Sequence, residues 1–554
     1  MNIAYRFFSV LMSFLTVICS VAYSDNLTDD IDIDIEYSSE ESTEEDDIKD
    51  ITITKRKLAG VEQISVNSYY KDSLSDKTDI KLYEFTLQSR AGVSVEFSHS
   101  TGEENVLNGW YFYLYERYDT DGTGTNYGYR LINKYEAREE SLASVTNYNG
   151  LYPGEYIFAV TSGSGFTTNG FIFKLIADYT NIYEAEPNDN PYFYSEIRKD
   201  VTVKGLSNRK GTLDEDWYLF TQTDYGSVNI SFERLRSDLP QVCWFIGLYD
   251  EDLNCLFYTS CYGTDTINTS GDIGLSPGNY LVVVKTHTNN DVQYRLTVNT
   301  GCVNEVEFND TAENAEEFEF IEGAAVKTGS LSERKGSYDV DYYTFDYPSD
   351  GVFTLMFDHD ALGKTDAGWR ITVFDDEDNI LYCDTSLWNE STKVAPLMGI
   401  DAGRYYIKID ADSLRYNSAT YTLKLNFVET DTYETEPNNS LETADEIIDG
   451  SISGTLVTKG LDFDTDYYYF DVDKRTYIYV SFSHINLASQ NEGWVITVTD
   501  EDGDEIESFT SKWVDTKRMS KLLVLDKGRY YITVKTGLYF SGKRYTLTLE
   551  DASN

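Results

Sequence analysis

Asp464-Thr465-Asp466-Tyr467-Tyr468-Tyr469-Phe470 sets an acidic pair directly before an aromatic run. The same arrangement stands at Asp339-Val340-Asp341-Tyr342-Tyr343-Thr344-Phe345 and at Asp214-Glu215-Asp216-Trp217-Tyr218-Leu219-Phe220, each 125 residues from the next. A period of that length is a whole domain, too long for a solenoid unit. The 554-residue chain therefore reads as a tandem array. A weaker copy, Asp79-Ile80-Lys81-Leu82-Tyr83-Glu84-Phe85, keeps the first Asp and puts Lys81 in place of the second.

Three further landmarks follow in the same order in every copy. One strand ends in Phe97, Phe232, Phe357 or Phe482, with His99, Arg234, His359 or His484 two residues on. The next opens with Trp110, Trp244, Trp369 or Trp494 and runs into an acidic turn. Last comes Leu/Ile-x-x-Gly-x-Tyr, ending at Tyr156, Tyr280, Tyr405 and Tyr530. Apolar residues alternate at period two through these segments and stop at turn residues such as Asp502-Gly503, the pattern of half-buried strands. The Gly-x-Tyr element is what a tyrosine corner needs, a turn-permitting Gly and a hydroxyl that bonds back to nearby backbone. The expected fold is all-β: four tandem antiparallel β-sandwich domains of Greek-key or jelly-roll type. Their bounds are 51–180, 181–302, 303–430 and 431–554.

Residues 1–24 read as a signal peptide, with Arg6, an apolar run from Phe7 to Val21 and the exit Ala22-Tyr23-Ser24. Residues 25–50 are strongly acidic and too poor in apolar surface to order, so a solvated linker is expected. No later run is long and apolar enough to span a bilayer, so no membrane insertion is expected and the product is secreted, as a monomer. The net charge of -50 repels phosphates, which excludes nucleic acid as a partner and leaves cations and neutral ligands. Four cysteines, Cys243, Cys255, Cys261 and Cys302, fall in one repeat. Cys243 and Cys261 lie at equal distances from the turn Asp250 to Asn254, so a cross-strand disulfide is reasonable, with Cys255 and Cys302 as the remaining pair. Reduced, packed thiols are the other reading.

A second acidic motif opens three of the copies: Glu184-Ala185-Glu186-Pro187-Asn188-Asp189, Glu305-Val306-Glu307-Phe308-Asn309-Asp310 and Glu434-Thr435-Glu436-Pro437-Asn438-Asn439. In an extended segment residues i and i+2 share a face, so each Glu pair points one way, and the Asp pair does the same on its own strand. Together they gather four carboxylates and an amide, a cluster that repels itself without a cation. An all-oxygen set without His or Cys suits a hard ion, Ca²⁺ above Mg²⁺. The other reading has the Glu pairs as solvated charge and the Asp pair as a strand entry.

Glu-x-Glu-Pro-Asn, then Gly, then Asp-x-Asp-Tyr-Tyr-x-Phe, then Gly-x-Tyr resembles the bacterial pre-peptidase C-terminal domain family, β-sandwich modules of secreted proteins related to the collagen-binding domains of clostridial collagenases. The resemblance covers 180–554 well and 51–180 loosely. It implies that the ligands of a calcium site are Glu184, Glu186, Asn188, Asp189, Asp214 and Asp216 in the second domain. Their counterparts are Glu305, Glu307, Asn309, Asp310, Asp339 and Asp341 in the third, and Glu434, Glu436, Asn438, Asn439, Asp464 and Asp466 in the fourth. One or two Ca²⁺ per domain are expected in these three, a weaker charge where Asn439 replaces Asp, and no metal in the first domain, which keeps only Asp79.

Among the remaining features, the repeated His reads as a packing or hydrogen-bonding residue because Arg234 fills its place once and no matching Ser or Cys nucleophile is evident. The repeated Trp reads as core, and Trp388 and Trp513, outside the main strands, are the better candidates for exposed aromatics. The acidic hairpin turns need no metal to explain them. Zincin, Gly-x-Ser-x-Gly and papain-type motifs are absent. The expected function is a secreted, non-catalytic, calcium-stabilised array that binds an extracellular polysaccharide or protein. The alternatives are an accessory or targeting component of a secreted peptidase or glycoside hydrolase system, a pure spacer, or a glycosidase working between modules through carboxylates such as Glu434 and Asp466.

Overall fold

The computed structural model describes residues 60–552, apart from residue 125 and residues 100–108, 138–142, 164–165, 167–168, 209–213, 236–242, 262–266, 287–290, 336, 363–366 and 412–416. The signal peptide and acidic linker expected over residues 1–50 lie outside the described residues. Within the unit Glu62–Asn554 the strands assemble into successive pairs of mostly antiparallel sheets, and the all-β sandwich is what the alternating pattern dictates.

The last pair shows how the residues build it. In Thr465–Val472 the side chains of Asp466, Tyr468, Phe470 and Val472 turn inward and the residues between them turn out. That strand pairs with Gly528–Thr536, which pairs with Glu492–Asp500 and then the edge strand Glu505–Lys512. On its other side the two-residue strand Asp445–Glu446 joins in parallel. The facing sheet runs Ser451–Gly454, Tyr545–Asp551, Thr476–His484 and Lys517–Met519. Trp494, Ile496, Val498, Phe482 and Leu547 fill the space between, all fully buried. Each aliphatic side chain so buried contributes roughly 1.5–3 kcal/mol.

The same order of strands recurs around three other cores, centred on Trp110, Trp244 and Trp369. All four tyrosine corners form: Tyr156 Oη donates to Tyr152 O at 2.7 Å, Tyr280 to Ser276 O at 2.9 Å, Tyr405 to Asp401 O at 3.1 Å and Tyr530 to Asp526 O at 3.0 Å. The repeated Trp side chains are core, as expected. Trp388 and Trp513 are half-buried rather than exposed. Trp513 packs against the fourth core and stands edge-on to Tyr539.

No disulfide forms among the described cysteines. The hairpin carries a bulge between Leu248 and Tyr249, which shifts the ladder by one residue and sets Cys261 opposite Trp244 instead of Cys243. Equal spacing from the turn could not reveal that extra residue.

Two kinds of contact recur where successive sheet pairs meet. The Glu-x-Glu segment is tied by a backbone hydrogen bond to a short strand of the pair before it: Glu186 N donates to Gly150 O at 2.9 Å, Glu307 N to Gly274 O at 3.2 Å and Glu436 N to Gly399 O at 3.0 Å. A side chain at any of these glycines would run into the carbonyl oxygen of Glu184, Glu305 or Glu434. The second contact is a loop or hairpin that lies on the preceding pair's outer strand. Asn133 Nδ2 donates to Asn208 Oδ1 at 2.8 Å, and Thr259 Oγ1 donates to Glu333 Oε2 at 2.9 Å. The hairpin Thr458–Lys459 with Asp462–Phe463 extends the third pair's sheet, with Gly460 N donating to Cys383 O at 2.9 Å. Val457, beside it, is fully buried in the third core.

Candidate metal centres at the junctions

The inward face of the Asp-x-Asp-x-Tyr strand carries its second Asp into the sandwich together with the core aromatics, so Asp216, Asp341 and Asp466 are buried. A hydroxyl reaches one oxygen of each, Oδ2. Tyr294 Oη donates to Asp216 Oδ2 at 2.6 Å, Tyr421 Oη to Asp341 and Tyr545 Oη to Asp466. These tyrosines in turn contact Tyr218, Tyr343 and Tyr468, at 2.5, 2.7 and 2.6 Å between the oxygens. The first Glu of each motif completes the network. Glu184 takes the Tyr218 hydroxyl and Leu206 N, each at 2.7 Å. Glu305 takes Tyr343 at 2.8 Å and Ser330 N at 2.7 Å, and Glu434 takes Tyr468 and Thr455 N. Both oxygens of that Glu are thus committed to protein donors, which makes it a structural anchor.

Gly205, Gly329 and Gly454 let this network close, because a Cβ there would strike the tyrosine ring or hydroxyl, and at the last two the Glu carboxylate as well. The first pair solves the same problem with different residues. Phe171 stands where the others have Tyr294, Tyr421 and Tyr545, opposite His99 in the ladder, and Asp72 stands opposite Phe171 where they have Gly. Asp72 accepts the Tyr83 hydroxyl at 2.8 Å, and Lys81 lies 3.8 Å from Asp72 and 3.6 Å from Asp79.

The clusters proper draw their carboxylates from both motifs. Carboxylate oxygens of Glu184, Glu186 and Asp216, of Glu307, Asp310 and Asp339, and of Glu436, Asp464 and Asp466 each lie within 4.8 Å of one another. Asn188, Asn309 and Asn438 are buried beside them, while Asp189 and Asp310 are half-buried. Several oxygens have no hydrogen-bond partner among the described residues: Asp216 Oδ1, Asp341 Oδ1, Asp466 Oδ1, Glu307 Oε1, Glu436 Oε1 and the amide oxygens of Asn188, Asn309 and Asn438. Buried oxygens left so are costly in a low dielectric. Burial, then the neighbouring Glu184, Asp214 and Glu186 carboxylates, raise the Asp216 carboxyl well above its usual range. Burial and adjacent carboxylates do the same to Glu305, Glu434, Glu436 and Asp466. Each cluster needs a proton or a cation, and its unpartnered donors are oxygens, which fits a hard ion.

In two of the three clusters the protein supplies a cation of its own. Arg334 reaches Glu307 at 2.9 Å, Asp310 at 2.6 Å and Asp339 at 2.5 Å. Lys459 reaches Asp464 at 3.0 Å and Glu436 at 3.7 Å, and the Asn439 amide oxygen, in the orientation that satisfies both its atoms, accepts from Lys459 Nζ at 2.8 Å. Asn439 thus faces Lys459 as Asp310 faces Arg334. Phe308, where the other motifs have Pro, lies under the Arg334 guanidinium and against the second core. The corresponding stretch of the second pair carries Arg209 and Lys210, outside the described residues.

Sequence reasoning missed these two basic residues and the strand-opening tyrosines. Both had a signal: Arg334 and Lys459 each stand five residues after a Gly and five before the Asp pair, and Tyr294, Tyr421 and Tyr545 each open an x-Leu strand. Contrary to expectation, a Ser does recur beside the repeated His in the third and fourth pairs. His359 Nε2 meets Ser386 Oγ at 2.8 Å and His484 Nε2 meets Ser511 Oγ at 3.0 Å. Both serines are fully buried, and the imidazole rings pack at a tilt against Trp369 and Trp494, with ring centroids 4.3 and 4.2 Å apart. The pairs are buried against the core as packing elements. Glu434 and Asp466 are likewise buried and bridged through Tyr468 and Tyr545.

No protein-family model matches the chain. The chain is similar to a clostridial collagenase. It is 24% identical over 308 residues to Collagenase ColA of Clostridium perfringens (strain 13 / Type A), a stretch that makes up 53% of this chain and 26% of that protein. The chain thus spans about a quarter of that relative's length. Among solved structures, the pre-peptidase C-terminal domain of a collagenase from Bacillus anthracis aligns with 21% of this chain and 93% of its own, at 16% identity and a TM-score of 0.14. Tripeptidyl peptidase 2 aligns with 61% of this chain and 33% of its own, at 7% identity and a TM-score of 0.17. Among the described residues no helix is long and apolar enough to cross a membrane.

Proposed function

We propose that this chain is a secreted, monomeric, non-catalytic array of modules of the pre-peptidase C-terminal kind, which binds an extracellular protein of collagen type and is stiffened by Ca²⁺ at its junctions. The observation that carries the reading is the position of the carboxylate clusters. They recur at three boundaries between sheet pairs, buried against tyrosine hydroxyls, where an ion would hold neighbouring modules in line and where no substrate would reach. Glu186, Asn188, Asp214 and Asp216 would hold the ion at the first of these boundaries, and Glu307, Asn309 and Asp341 or Glu436, Asn438 and Asp466 at the others. Similarity to a collagenase over half of this chain and a quarter of that enzyme supports collagen as the first partner to test; an extracellular polysaccharide is the second.

Retention on immobilised collagen, cellulose, xylan and cell walls, measured in 1 mM Ca²⁺ and in EDTA, tests the reading. Retention on collagen that weakens in EDTA, with no turnover of casein or dye-linked polysaccharide, is expected. Retention on a glycan alone would move the assignment to carbohydrate, and retention on none would leave a spacer.

A further inference from the structure

Arg334 and Lys459 do more than neutralise charge, because each sits on the hairpin that crosses to the preceding sheet pair. Glu333 and Arg334 form one strand of a small hairpin with Ser337 and Tyr338, and Glu333 is held by Thr259 of the second pair's outer strand. Lys459 opposes Cys383 of the third pair's outer strand, and the next amide, Gly460, bonds to it. One end of each hairpin is therefore tied to a neighbour's edge and the other to the carboxylates of its own module. The acidic ends of the ties are buried: the side chains of Glu307, Asp339 and Asp464 are wholly inaccessible, and those of Arg334 and Lys459 are 12% and 18% exposed.

We infer that Arg334 and Lys459 are built-in counter-ions that clamp these two hairpins across the junctions, so that both junctions hold without a bound metal, and that a divalent cation competes with them for the same carboxylates. Removing one partner of a buried ion pair leaves an uncompensated charge, which is far costlier than losing an exposed pair. Neutralising the basic residue should therefore release the hairpin and open the cluster to a metal. The competition half of this inference rests on the calcium reading; the clamp does not.

The test is amide hydrogen exchange at Gly460 in the full chain, comparing Lys459→Met and Lys459→Arg with the parent in EDTA and in 1 mM Ca²⁺. In EDTA the parent and Lys459→Arg keep Gly460 protected, while Lys459→Met loses at least about tenfold of that protection. Added Ca²⁺ restores it in Lys459→Met and leaves the parent unchanged. Parent-like protection of Lys459→Met in EDTA overturns the clamp. If Lys459→Met loses protection throughout Thr465–Val472 as well, its fold has failed, and Lys459→Met with Asp464→Asn replaces it. That pair removes both charges, so loss confined to the hairpin supports the clamp and retained protection overturns it. Absence of any Ca²⁺ effect in every variant would sink the calcium reading while the EDTA comparison still decides the clamp.

Discussion

Glu436 N donates to Gly399 O at 3.0 Å across the boundary between the third and fourth sheet pairs. The approach is possible only because Gly399 has no side chain, since a Cβ would overlap the Glu434 carbonyl oxygen. Val524 occupies the matching place in the short strand Leu523–Leu525 of the last pair, one residue before Leu525 as Gly399 is before Ile400. Gly399→Val is expected to break the junction while leaving both cores intact. Calorimetry should then show the last pair melting apart from the rest, and proteases should cut near residues 430–436. A single unchanged transition would count against a Gly-dependent bridge.

Tyr545→Phe removes the hydroxyl that Asp466 accepts and that Tyr468 touches. A buried acceptor left without its donor costs about 1–3 kcal/mol, so the midpoint of urea unfolding should fall with its slope unchanged. The first pair already carries Phe171 at this place, with Asp72 as compensation. Asp72→Asn is expected to be mild there, because its amide oxygen can still accept from Tyr83, whereas Asp72→Ala leaves that hydroxyl unpaired and should cost more. Equal effects of the two substitutions would remove the compensation argument.

Period-two alternation and the Gly-x-Tyr corner made the sandwich legible, because both follow from local geometry: Phe470 and Tyr468 must share a face, and Tyr530 must reach back four residues to Asp526. The gathering of Glu436 with Asp464 and Asp466 was legible for the same reason, since repeated pairs on extended segments needed only one contact between segments. Arg334 and Lys459 were not read, because their partners lie across a hairpin whose course depends on the neighbouring module's edge. The Cys243 and Cys261 expectation failed on a bulge, a one-residue irregularity that strand alternation does not encode.

His484→Ala tests whether the repeated His is a packing element. Its ring packs at a tilt against Trp494, with centroids 4.2 Å apart, and joins Ser511, so its removal should leave a cavity and an unpaired hydroxyl. A loss of about 1–3 kcal/mol in stability is expected, with collagen retention at 20 °C unchanged. Lost retention with stability intact would show that the His serves binding instead.

The pH dependence follows from buried carboxyls: Glu307 in its cluster, and Asp445, which accepts from Thr435 N and Asn438 Nδ2. Burial, opposed by Arg334, pushes Glu307 up to about 7 from an ordinary 4.5, and burial lifts Asp445 to about 6 from 3.8. A carboxyl whose folded pKa is raised binds more protons folded than unfolded, so its stabilisation is complete below the unfolded value and is lost as pH rises through the folded one. In EDTA the melting temperature should therefore fall between pH 5 and 7.5. Calcium binds the deprotonated form, so its effect should be near nil at pH 5 and largest above pH 7. With site affinities of ~0.1–1 mM, 1 mM Ca²⁺ adds roughly 0.4–1.4 kcal/mol per site, a shift of a few degrees. Melting curves at pH 5, 6, 7 and 8 with EDTA, Ca²⁺ or Mg²⁺ check this. A Ca²⁺ shift that is the same at every pH, or matched by Mg²⁺, would mean that the buried carboxylates are not the site of action.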